Sequence, residues 1–249
     1  MLRSPAQIPV RPAAEQEDAA PGTLIGRIPL SDPSPAAPGG FAPKAFEGEV
    51  VPFRVVAFRE GHDLIGAHVR LRAPSGDESL HRLSPQNDGT DGWRTPIALD
   101  AAGAWSFRFE GFSDDFATWA HAAEVKAEAG VDLEVMSIAG AQLLARAAGE
   151  QDRPAAERRA IKAAAKRLSD ADAGILASVA TDAALAAFFA ARPLTTLVTA
   201  TGWQSLLVER TAAGAGAWYE FFPRSEGAKR RKDGSIASGT FRTATRRLP

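Results

Sequence analysis

A chain of 249 residues with 45% hydrophobic side chains is long enough for one large or two smaller domains, each with its own core. Its formal net charge of −1 gives no bulk attraction for nucleic acid or anionic lipid, and the lack of cysteine excludes a disulfide scaffold, a thiolate metal site and a cysteine nucleophile. Pro5, Pro9, Arg11 and Pro12 interrupt the N-terminus, so no signal peptide is expected, and no run of about 18 apolar residues is present to span a membrane; the cytoplasm is the default expectation.

Residues 1–22, rich in Pro, Ala, Glu and Gln, predict a disordered tail. A short strand is expected over Leu24–Leu30, then a Pro/Ser/Gly spacer from Ser31 to Gly40. From Glu49 to about Glu128 the pattern is that of strands. Val50–Phe58 alternates and is rich in β-branched residues. Ala67–Arg72 has period two, with Val69 and Leu71 inward and His68, Arg70 and Arg72 outward. Trp93–Leu99 and Ala104–Phe109 follow, the latter with Trp105, Phe107 and Phe109 on one face, and a last strand is expected over Trp119–Lys126. Turn chemistry lies between them at Gly61, Gly76, Asn87-Asp88-Gly89 and Gly103. Strands at roughly ten-residue spacing predict an antiparallel β-sandwich of immunoglobulin-like or fibronectin-like size.

Near Val131-Asp132 the period changes to helical. Leu133, Met136, Leu143 and Leu144 line one face behind an Asp132 cap. A second helix opens near Pro154, with Ile161 and Leu168 apolar. A third, capped by Ser169 or Asp170, is expected to run to about Ala191, where Pro193 follows its end. Alanine dominates, which favours helix and close packing. Leu206–Glu209 is a short strand. Trp218, Tyr219, Phe221 and Phe222 then form an apolar, aromatic run of strand length closed by Pro223, as expected for a strand buried on both faces. A basic loop, Lys229–Gly239, and a helix start at Thr240 complete what reads as the first βα unit of a larger domain.

Few residues suggest chemistry. His62, His68, His81 and His121 have no metal-ligand spacing and are expected to be exposed or in turns. Glu60, His62 and Asp63 could form an acid–base set, but Gly61 and Asp63 fit a hairpin turn better, with Arg59 pairing a nearby carboxylate. Trp93, Trp105 and Trp119 could stack on sugar. The shared face with Phe107 and Phe109 assigns Trp105 to the core, while Trp93 and Trp119 stay open between core and sugar contact. The run Lys229-Arg230-Arg231-Lys232 lacks interleaved aromatics and is expected to be a solvated loop. Glu220 and Arg224, at the end of the aromatic strand, are expected to form ion pairs. No catalytic, substrate-binding or metal residue is assigned, and no cofactor is expected.

Several separate segments carry a resemblance: Gly26–Pro29, Phe58–Asp63, Ala117–His121, Pro193–Ala200, Trp218–Glu226 and Gly239–Leu248. In this order, over roughly residues 22–249, they resemble the bacterial maltose-1-phosphate maltosyltransferases of the α-amylase superfamily. The resemblance implies an α+β multidomain chain. Its expected parts are a tail at 1–22, a β-sandwich at 23–131, a helical bundle at 132–203, and at 204–249 the first βα unit of an incomplete (β/α)8 barrel. It implies a full-length enzyme that moves maltosyl units from α-maltose 1-phosphate to the non-reducing end of α-1,4-glucans with retention, using a barrel aspartate and glutamate. Those positions would follow Pro249, so no catalytic residue carries over. The implied role of this piece is homodimerisation and support of the barrel, without nucleic-acid or membrane partners. The competing reading is a non-catalytic carbohydrate-binding sandwich with a helical interaction domain.

Overall fold

The computed structural model describes residues 27–170, 172–216 and 220–247, so the expected tail over 1–22 lies outside the described residues. Two units separate, one ending at Thr211 and one beginning at Ala212. In the first, alternating apolar residues build two sheets. Strands β1 (Leu30–Ser34), β2 (Lys44–Phe46), β3 (Val50–Ala57), β4 (Ile65–Arg72), β5 (Glu78–Arg82), β6 (Ser84–Pro85), β7 (Gly92–Ala98) and β8 (Gly103–Asp114) precede the helices; β9 (Thr195–Ala200) and β10 (Gln204–Glu209) follow them. The first sheet has the order β1-β3-β7-β6. The second has the order β2-β10-β8-β4-β5, with β9 paired to the far half of β8. All pairings are antiparallel except β2 with β10, which is parallel.

The inward residues of both sheets share one core. Val51, Phe53 and Val55 of β3 pack with Val69 and Leu71 of β4, with Trp105, Phe107 and Phe109 of β8, and with Leu206 and Val208 of β10. Phe53 meets Phe107 edge-on with ring centroids 5.2 Å apart, which ties one sheet to the other. Trp105 is a core residue, as its period predicts, and its indole N–H donates to the Ala101 carbonyl at 2.8 Å.

Five helices lie between β8 and β9: α1 (Asp115–Ala129), α2 (Leu133–Ala148), α3 (Ala155–Arg167), α4 (Ala173–Ala180) and α5 (Ala183–Ala191). The strand expected over Trp119–Lys126 is therefore corrected to helix. Asp114 caps α1 by accepting from the Ala117 N–H at 3.1 Å, and Gly130, at φ 68, closes it in the left-handed conformation that glycine adopts without strain. Phe116, Trp119, Ala123 and Ala127 recur at helical spacing and are buried. The single helix expected from Ser169 or Asp170 to Ala191 is two helices. Their caps are Asp172, accepting from Ile175 N–H at 2.9 Å, and Asp182, accepting from Ala184 and Leu185. Asp132 does stand at the start of α2, but its carboxylate binds Lys126 at 2.6 Å instead of capping. No single described helix is long and apolar enough to cross a membrane. The paired α4 and α5 together have the length and composition, yet Leu176, Val179, Leu185 and Phe189 are spent in the bundle core.

In the second unit β11 (Lys229–Arg230) pairs antiparallel with β12 (Ile236–Ala237), and α6 (Phe241–Ala244) follows a capping box between Thr240 and Thr243. The helix start expected at Thr240 is present. The strand expected over Trp218–Phe222 is not found in its described part. Glu220–Phe222 has no regular structure, and Phe222 is 71% exposed, because no other strand of this unit pairs with it among the described residues. Trp218 and Tyr219 lie outside the described residues.

Candidate functional site

Three places in the first unit gather polar side chains. The first is where sheet meets bundle. Asp114, at the end of β8, is 2% exposed and accepts from Arg82 of β5 at 2.8 Å. The other end of the Arg82 guanidinium donates to the carbonyls of Phe189 and Ala190, both at 3.2 Å, at the C-terminus of α5. A cation there complements the unpaired carbonyls and the negative end of the helix dipole. Asp115 adds contacts to Arg146 of α2 and to Thr196 of β9. One arginine and two consecutive aspartates thus connect β5, β8, β9, α1, α2 and α5.

The second is the outer face of the larger sheet. Glu110 accepts from Arg70 at 3.0 Å and Arg108 at 2.8 Å, and Glu78 from Arg72 at 2.7 Å. Arg72 and Arg108 lie over the Trp203 ring, at 4.5 and 5.0 Å from its centroid. Trp203 has no strand period around it, and nothing in the sequence ties it to those arginines. Burial pushes Glu110 up, but the Arg70 and Arg108 guanidiniums outweigh it and hold its carboxyl below the ordinary carboxylate range. His68 sits between Glu110 and Arg82 in the strand register and is 6% exposed, with its ring 4.5 Å from that of Phe112. The expectation of an exposed His68 is corrected here: its outward position is covered. Burial, with Arg82 beside it, lowers its pKa to about 4. Between about pH 6.5 and 4 the unfolded chain therefore binds a proton that the folded chain refuses, so stability falls on acidification across that window. The expected loss from pH 7 to 4.5 is on the order of 2 kcal/mol more in the parent than in His68→Phe, read from urea midpoints at the two pH values. Glu110 acts only at lower pH, so equal losses above pH 5 would refute this role of His68.

The third is a notch of about 230 Å³ at one end of the smaller sheet, lined among others by Phe58, Asp63, Asn87, Thr90, Asp91 and Trp93. Trp93 is half-buried and its indole N–H donates to the Ala57 carbonyl at 3.1 Å. Arg59 donates to Asp63 at 2.8 Å and to Ser113 Oγ at 2.9 Å, fixing the β3–β4 loop. Thr90 donates to Asp88 at 2.6 Å and fixes the β6–β7 loop.

The other sequence candidates separate. Glu60 and His62 are exposed, and Asp63 pairs with Arg59 instead of either, so no acid–base set forms. Trp119 is buried, which removes it as a sugar platform; Trp93 keeps an open face. Lys229–Lys232 is exposed, its first half forming β11 and the turn after it held by Asp233 accepting from Ser235. Glu220 and Arg224 are exposed, and the ion pair expected of each is not found among the described residues. No group of three His, Asp or Glu that could hold a metal exists among the described residues.

Residues 26–210 match the model of the family described as alpha-1,4-glucan:maltose-1-phosphate maltosyltransferase, domain N/S. The chain is 42% identical to alpha-1,4-glucan:maltose-1-phosphate maltosyltransferase 1 of Streptomyces coelicolor over 91% of its own length and 33% of the relative's. It is 41% identical to maltosyltransferase 2 of the same organism, over 90% and 33%. With the enzyme of that name from Mycobacterium tuberculosis it shares 33% identity over 90% of this chain and 36% of the relative. The chain spans about a third of the length of these curated relatives.

Proposed function

The chain belongs to the family of the alpha-1,4-glucan:maltose-1-phosphate maltosyltransferases, domain N/S, and from that premise we propose that it is the supporting part of an enzyme that extends α-1,4-glucans from maltose 1-phosphate. In this reading the two sheets are an immunoglobulin-like sandwich, the helices are its rigid attachment, and the start of the catalytic barrel, expected from residue 204, comes after Thr211, because β10 belongs to the larger sheet. The observation that carries the reading is the Arg82–Asp114 pair. A buried carboxylate that is at once a helix cap and the partner of a cation capping a second helix stiffens the joint between sheet and bundle. Stiffness there suits a part that holds another domain in place.

The same reading includes a homodimer. Val131, Val135 and Ile138 are exposed, the last two at helical spacing along α2. Apolar surface left open in this way favours self-association. Two measurements test the proposal. The purified chain, given maltose 1-phosphate and glycogen, is expected to release no phosphate above the blank; release that rises with enzyme concentration ends the supporting-part reading. Light scattering at micromolar concentration is expected to give the mass of a dimer, and Val135→Glu with Ile138→Glu the mass of a monomer. A parent monomer would remove the dimer from the proposal.

A further inference from the structure

We propose that the notch beside Trp93 binds one terminal pyranose ring of a neutral glycan. The inference goes beyond support of a barrel and does not depend on it. The chemistry on offer is specific. Because the Trp93 indole N–H is engaged by the Ala57 carbonyl, the side chain presents hydrocarbon ring surface and no donor to the notch. Phe58 adds a second, 43% exposed ring. Aromatic surface of this kind covers the C–H face of a sugar ring. The Asp91 carboxylate and the Asn87 amide also line the notch, are exposed and take no hydrogen bond from any described residue. Planar acceptor pairs of this sort, with the Asn amide donor, suit adjacent hydroxyls.

Charge narrows the ligand class. Arg59 neutralises Asp63 at 2.8 Å, which leaves Asp91 as the one uncompensated charge lining the notch. A phosphate or carboxylate ligand would meet that charge, and one carboxylate is too few for a divalent cation. A neutral polyhydroxyl compound meets neither obstacle. Size narrows it further: about 230 Å³ is below the usual range for drug-sized ligands and fits a single ring, not a chain buried whole. Both loops are fixed by their own hydrogen bonds, Arg59 to Ser113 in one and Thr90 to Asp88 in the other, so little ordering remains for binding to cost.

The test is a titration of the isotope-labelled 249-residue chain, followed by proton–nitrogen correlation spectra. Maltotriose, cellotriose and maltose 1-phosphate are the three probes. Maltotriose is expected to shift the Trp93 indole resonance and the amides of Asn87–Gly92 while leaving the Trp119 indole unmoved. Asp91→Ala and Asn87→Gly are each expected to weaken binding about fivefold or more, with little change in melting temperature, because both side chains are exposed and unpartnered and glycine keeps the left-handed φ of 52 at position 87. A matching response to cellotriose would assign the site to terminal rings of either linkage, and no response to it would assign α-linked glucans. Maltose 1-phosphate is expected to bind no better than maltotriose. Absence of shifts with both trisaccharides at tens of millimolar overturns the proposal, as do shifts that neither variant weakens. Neither result bears on the maltosyl-transfer assay.

Discussion

Replacing Arg153, whose carboxylate partner Glu150 is itself 35% exposed, with alanine is expected to lower the stability of the fold by about 2–4 kcal/mol, the range for opening a core cavity together with losing a charge-assisted bond to a buried carbonyl. The Arg153 side chain is 0% exposed. Nε donates to Glu150 at 2.5 Å, and one terminal nitrogen donates to the Arg192 carbonyl at 2.6 Å just beyond α5. The guanidinium carbon lies 4.8 Å from the centroid of the Phe189 ring. The other terminal nitrogen is buried without a partner, so the parent already carries a cost at this site. Deletion therefore removes two charge-assisted bonds and a ring contact and leaves a cavity against Phe189. Arg153→Lys keeps the charge but not the planar fork, so less than half of the loss is expected to return. Arg153→Met fills the space without capping and should fall between. Chemical denaturation of the three variants decides, and a loss below about 1 kcal/mol for alanine would show that solvent or a neighbour replaces the arginine easily.

Trp119→Ala should cost a comparable amount, about 3–5 kcal/mol, as for other buried aromatic truncations. The indole is 6% exposed, donates to the Met136 carbonyl at 2.9 Å, and lies beside Phe116 with centroids 6.0 Å apart. Its ring also covers Gly140 so closely that a Cβ there would lie inside the van der Waals shell of the indole. Gly140→Ala is accordingly expected to lose about 1–3 kcal/mol by overpacking the same contact from the other side. Melting curves of both variants test this. A Trp119→Ala protein as stable as the parent would mean that α1 and α2 do not hold together through this ring.

Much of the sandwich was legible because its strands bury one face each. Val51, Phe53 and Val55, then Val69 and Leu71, then Trp105, Phe107 and Phe109, alternate with polar neighbours, and every one is in the core. The error over Trp119–Lys126 has a physical cause. The buried face of α1 is Phe116, Trp119, Ala123 and Ala127, and two of those four are alanines that also populate its exposed face. Hydrophobicity then varies little around the helix, and the aromatic and β-branched residues at 119 and 125 stand out as strand-like. Likewise, one apolar run hid the break between α4 and α5, where Asp182 was the available signal. His68 was assigned outward correctly by period but wrongly as exposed, because periodicity gives the face of a strand and not what covers that face. The notch was half legible. Trp93 and the Asn87 turn could be named, and Asp91 lies only two residues before Trp93, but Phe58, Arg59 and Asp63 line the same notch only because the β3–β4 loop comes to the β6–β7 loop. The role of Arg82 was invisible because two of its three partners are more than a hundred residues away on α5 and the third, Asp114, is on another strand.

The parallel pair of β2 with β10 sets an order of events during synthesis. Lys44 and Glu209 are bonded at 3.0 Å although 165 residues separate them, and β10 is the strand that gives β2 its place in the sheet. Until Glu209 has emerged from the ribosome, β2 has no neighbour and the near half of β8 presents an open edge. The nascent chain must carry that exposed edge while all five helices are being made. A late, long-range closure of this kind makes the sandwich slow to complete and marks its unfinished edge as the place where a holdase chaperone has most to protect.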